Sequence, residues 1–144
     1  MSQKSANSNA SRVAEWAAAV IGAVNCVLVP LLFAQQGSSD FPFPFLYFAE
    51  IILVGAFVLI YVATRAGRKA QWRALPWVAA GIMLAFVILG GFSIGFFLIP
   101  AFLAFSITGI LVDLQTGGAM ARHFGLLVVA AVLQGGLMAI VINF

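Results

Sequence analysis

Charged residues are scarce in this sequence. Its 144 residues include seven Lys or Arg and four Asp or Glu, which is 8% of the chain, whereas 64% are hydrophobic and the mean hydropathy is +1.14. Soluble domains contain about 25% charged residues, and a chain of this length has too much surface for its volume to bury so many apolar side chains. The composition therefore predicts an all-α integral membrane protein, because lipid favours helices that satisfy their own backbone hydrogen bonds.

The chain also has only one cysteine and one histidine. Cys26 alone can form neither a disulfide within the chain nor a Cys-x-x-Cys pair. A zinc or iron site needs three or four ligands, so His123 alone predicts no such site, and an axial contact to one haem or chlorophyll is the alternative left open for it. Asp113, at the end of an apolar run, is expected to face water or Arg122. Since hydrolase and nucleotide-binding motifs are missing as well, we expect no enzyme, no metal and no cofactor.

The longest uncharged run extends over 39 residues, from Ala74 to Val112. As one helix it would be about 58 Å long, nearly twice the roughly 30 Å hydrocarbon core of a bilayer. Gly90, Gly91 and Gly95 lie near its midpoint and can adopt the positive φ values of a tight reversal. The run therefore predicts two spans joined by a hairpin, with a re-entrant loop at the same glycines as the alternative.

Together with the other apolar stretches, this run gives five predicted transmembrane helices. They cover residues 13–33, 45–64, 75–91, 96–114 and 125–144. Residues 1–12 are polar and rich in Ser and Asn, and we expect them to form a disordered cytoplasmic tail. Residues 13–144 are then a single transmembrane domain.

The basic residues all fall on one side of this topology. They lie in the N-terminal tail, in the 65–73 loop and in the 115–123 loop, and the opposite side has no Lys or Arg. The positive-inside rule therefore predicts a cytoplasmic N-terminus and an external C-terminus, in what we expect to be a bacterial inner (plasma) membrane. The 65–73 loop is expected to contact anionic lipid headgroups, not nucleic acid, through Arg65, Arg68, Lys69 and Arg73.

Three polar residues lie near the middle of predicted spans. Asn25, Ser106 and Gln134 belong to the first, fourth and fifth spans, so they would lie at similar depth and could form one hydrogen-bonded layer between helices. The simplest interpretation of such a layer is structural. The alternative is a small polar site for a solute, a quinone headgroup or a pigment.

Glu50 is the most informative of the intramembrane residues. It lies five residues after Phe45, about 7–8 Å below the outer start of the second span. Charge at that depth is costly, so an intramembrane carboxyl group suggests a function. Because Tyr47 and Tyr61 share its helix face, we expect Glu50 to face the bundle as a neutral acid. It is then either a structural acid or a group for proton handling or docking. If the helix starts deeper in the membrane, the alternative is a side chain that extends to the outer surface.

Three classes of function remain open from the sequence. The topology leaves only short loops and a short tail outside the membrane, so lipids and other membrane helices are the available binding partners. Small-residue stripes, such as Ala131, Gly135 and Ala139, permit close approach between helices. We therefore predict a non-catalytic accessory or assembly subunit that binds other integral membrane subunits. The alternatives are a small transporter, channel or proton-handling protein using Glu50, and a membrane-embedded enzyme or pigment protein.

Overall fold

The computed structural model describes the backbone of residues 2–35, 43–64, 70–91 and 94–143, and side chains within these ranges. The described residues form α-helices, one short 3-10 helix at Ala70–Ala74, and no strand. The α-helices are α1 (Ser2–Ala34), α2 (Phe43–Thr64), α3 (Leu75–Leu89), α4 (Ile94–Phe97), α5 (Ile99–Thr116) and α6 (Met120–Asn143).

Five of these helices are long and apolar enough to cross a membrane. The five long apolar helices predicted from the sequence are therefore confirmed, and their boundaries shift by a few residues. The candidate membrane spans are Asn9–Ala34, Phe45–Thr64, Trp72–Leu89, Ile99–Thr116 and Met120–Val141, and the third of them begins in the 3-10 helix.

The N-terminal residues differ from the predicted disordered tail, because α1 begins at Ser2. No proline occurs before Pro30 and no glycine before Gly22, so this part of the chain contains neither of the two strongest helix breakers, although its Ser and Asn residues are weak helix formers. Each residue added to an existing helix contributes one further backbone hydrogen bond. The polar residues 2–12 therefore extend the first membrane helix.

The long uncharged run reverses direction where the glycines predict. Helix α3 ends at Leu89, the single turn α4 follows, and Pro100 occupies the first turn of α5, where its missing N–H is least costly. The prediction of positive φ was wrong for Gly90, whose φ is −92°. The glycines are needed for close approach instead, because a Cβ on Gly95 would lie 2.5 Å from the carbonyl carbon of Gly90.

The bundle is organised around α1, α3 and α5. Helix α1 packs against α2 and α5, α3 packs against α5 and α6, and α2 has a smaller contact with α3. Glycines permit the closest approaches: Gly22 faces the ring of Phe105, and a Cβ on Gly81 would overlap the carbonyl oxygen of Leu127. Between helices in lipid the hydrophobic driving force is largely absent, because the lipid tails are as apolar as the side chains. Close van der Waals packing of this kind is therefore a main source of stability for helix pairs.

Helix α6 lies at the edge of the bundle. Its contacts are mainly with α3, and it is the least buried of the five candidate spans. The buried residues of α6 fall at steps of four and seven residues, which places them on one face that packs on α3; they are His123, Leu127, Gln134 and Met138. The rest of its circumference is therefore available to lipid or to another protein.

Candidate functional site

A polar cluster is buried at the end of the bundle where α3 and α6 begin and α5 ends. We call Trp77, Asp113 and His123 the inner cluster, since this end is predicted to face the cytoplasm. The Nδ1 atom of His123 lies 2.8 and 2.9 Å from the two carboxylate oxygens of Asp113, and Trp77 Nε1 donates to Asp113 Oδ2 at 3.1 Å. Asp113 is 2% exposed and His123 is 3% exposed. One carboxyl group thus joins three helices.

The glycines around Asp113 shape the inner cluster. Gly109, one turn before Asp113, lets the indole of Trp77 pack directly on α5, since a Cβ there would lie 2.9 Å from Nε1. Gly117 ends α5 in the left-handed conformation with φ 63°, and its N–H bonds to the Asp113 carbonyl, which is a common use of glycine after a helix. A Cβ on Gly118 would overlap the Asp113 carboxylate. The chain therefore turns tightly over Asp113 and brings His123 back to it.

In the inner cluster, Asp113 holds the side chain of His123 in place. A carboxylate on Nδ1 fixes the orientation of an imidazole ring and leaves Nε2 as the nitrogen that can act elsewhere. In the described part of the chain, no group of three or more His, Cys, Asp or Glu residues could hold a metal ion. The contacts observed for the inner cluster are those of an interhelical tether.

Sequence reasoning missed the inner cluster. The expectation that Asp113 faces water or Arg122 was wrong, because Asp113 is buried and bonded to Trp77 and His123. A signal was present in the predicted topology, which places all three residues at the same membrane depth: one at the start of the third span, one at the end of the fourth and one just before the fifth. Three polar groups at one depth are candidates for mutual hydrogen bonding.

A second polar contact at the inner end joins α1 to α5. Glu15 is buried, and Gln115 Nε2 donates to its Oε2 at 3.2 Å. Arg73 of the 3-10 helix is half-buried, and its Nη1 donates to the carbonyl oxygen of Thr116 at 3.1 Å, where cations and donors are favoured at a helix C-terminus. Arg73 therefore closes the end of α5, while its lipid contact stays a prediction. The other predicted lipid-binding residues, Arg65, Arg68 and Lys69, lie outside the described residues.

The intramembrane polar residues pair differently from the predicted layer. Gln134 Nε2 donates to Glu50 Oε1 at 2.7 Å, whereas Ser106 Oγ donates to the Phe102 carbonyl of its own helix at 2.8 Å. A short Ser side chain readily bonds the carbonyl four residues earlier, so it does not reach another helix. Asn25 Oδ1 is buried and has no hydrogen-bond partner among the described residues. The single layer of Asn25, Ser106 and Gln134 was therefore a wrong prediction.

The Glu50–Gln134 hydrogen bond links α2 to α6. These two helices otherwise hardly touch, and both lie against α3. Glu50 is half-buried and lies beside the buried stripe of α2, which includes Ile51 and Val58. Glu50 therefore lies at the edge of the bundle and not in its centre, and an amide donor partly offsets the cost of placing its carboxyl group in lipid.

A groove with a volume of about 310 Å³ runs between α2 and α3 below Glu50. We call it the α2–α3 groove. The ring of Tyr47, near the start of α2, packs on that of Phe86, near the end of α3, so the two helices run in opposite directions. Glu50 and Leu75 therefore lie at opposite ends of the groove. Apart from Glu50, all of its lining residues are apolar: Leu53, Val54, Phe57, Leu75, Val78, Ala79 and Ile82.

Comparisons of the chain with protein-family models, with curated proteins and with solved structures found no match. The helical architecture alone does not indicate a function.

Proposed function

We propose that this protein is a non-catalytic accessory or assembly subunit of a larger membrane complex, in a bacterial inner membrane, with a cytoplasmic N-terminus and an external C-terminus. The observation that carries the proposal is the position of α6. This helix packs mainly on one neighbour, α3, and leaves most of its surface for contact with a helix of another subunit.

The glycines of α6 support this interpretation. On α1, α2, α3 and α5, a Cβ added to Gly22, Gly55, Gly81 or Gly109 would lie within 3 Å of a neighbouring helix or overlap it. A Cβ on Gly135 or Gly136 of α6 would meet nothing within 4 Å. Glycine inside a helix costs about 1 kcal/mol relative to alanine. For the glycines of α1, α2, α3 and α5, close packing within the chain offsets that cost. For Gly135 and Gly136 of α6, close packing against another subunit would offset the cost.

The proposal is tested by gentle solubilisation from native membranes, followed by native gels and mass spectrometry. We expect the wild-type chain to copurify stoichiometrically with other integral membrane subunits. Gly136→Leu should fold normally but lose these partners, because the leucine side chain prevents close approach at α6. The matched control Ala56→Leu, on an exposed position of α2, should retain them.

Two outcomes contradict this proposal. Recovery of the wild type as a lone monomer or pure homo-oligomer, in conditions that keep known complexes of that membrane intact, would refute the subunit function. Retention of all partners by Gly136→Leu would refute α6 as the interface.

The alternative is a small transporter, channel or proton-handling protein. It is supported by the half-buried Glu50 and its hydrogen bond to Gln134 at 2.7 Å, since an intramembrane carboxyl group is a candidate carrier of charge or protons. An isolated homo-oligomer that moves ions in sealed vesicles would favour this alternative over the subunit function.

A further inference from the structure

We draw no further inference here: the strongest candidate, the buried inner cluster of Trp77, Asp113 and His123 where α3, α5 and α6 meet, belongs to the site already described, and its hydrogen bonds use the three side chains as a tether between helices.

Discussion

Replacing Asp113 with alanine is expected to lower the free energy of unfolding by roughly 2–6 kcal/mol, because two buried nitrogens lose their partner and each buried polar group left unsatisfied costs about 1–3 kcal/mol. Asp113 accepts from Trp77 Nε1 and contacts His123 Nδ1, and all three residues are buried. The substitution would leave both nitrogens without this partner in a part of the bundle that excludes water. Because the three residues lie on α3, α5 and α6, the loss should loosen the inner ends of all three helices.

Unfolding in mixed micelles with increasing SDS measures this effect, with circular dichroism as the probe of helix content. The control Asp113→Asn keeps an acceptor oxygen of the same size at the same place, so it should lose clearly less stability than Asp113→Ala. An unfolding free energy for Asp113→Ala within about 0.5 kcal/mol of wild type, the usual range of a neutral surface substitution, would show that the inner cluster is not a tether.

Gly81→Leu is expected to separate α6 from α3. A Cβ at this position would overlap the Leu127 carbonyl oxygen and lie 2.9 Å from the Ala130 Cβ, and backbone cannot move aside as a flexible side chain can. Overpacking typically costs roughly 1–3 kcal/mol, and we expect Gly81→Leu to reach at least the upper end of this range because the obstacle is main chain.

The matched substitution for Gly81→Leu is Gly136→Leu, which makes the same chemical change on α6 where nothing lies within 4 Å. It should leave the stability of the isolated chain within about 0.5 kcal/mol of wild type. Unfolding of both variants in mixed micelles with increasing SDS measures the difference. Equal stability of the two glycine variants would contradict the packing described for α6.

The helices and their reversal could be predicted from the sequence because bilayer thickness sets helix length. The 39-residue run between Arg73 and Asp113 is too long for one span, and its central glycines and Pro100 locate the turn. The extension of α1 to Ser2 could not be predicted in the same way. Polar residues next to an apolar span are compatible with either a tail or a helix, and the helix already present favours continuation.

The polar pairings could be predicted only in part, since they depend on which faces of the helices meet. A soluble helix shows its inner face by an apolar stripe, but α2 is apolar on nearly every side, so its rotation is not encoded in a visible pattern. The sequence predicts that Gln134 lies near the middle of the fifth span. That depth alone does not show that the hydrogen-bond partner of Gln134 is Glu50 and not Asn25. The pairing of Asp113 with His123 could have been predicted, because the predicted topology places both residues at the same end of the bundle.

All of these assignments depend on five crossings with the basic residues inside, and a pair of reporter fusions tests this most directly. A cytoplasm-active reporter fused after Asn7 and a periplasm-active reporter fused after Phe144, in a bacterial host, should both be active. The reason is that all seven basic residues fall on the N-terminal side of a five-span topology. If both termini report the same side of the membrane, the number of crossings is even, and the depths assigned to Glu50 and the inner cluster are wrong.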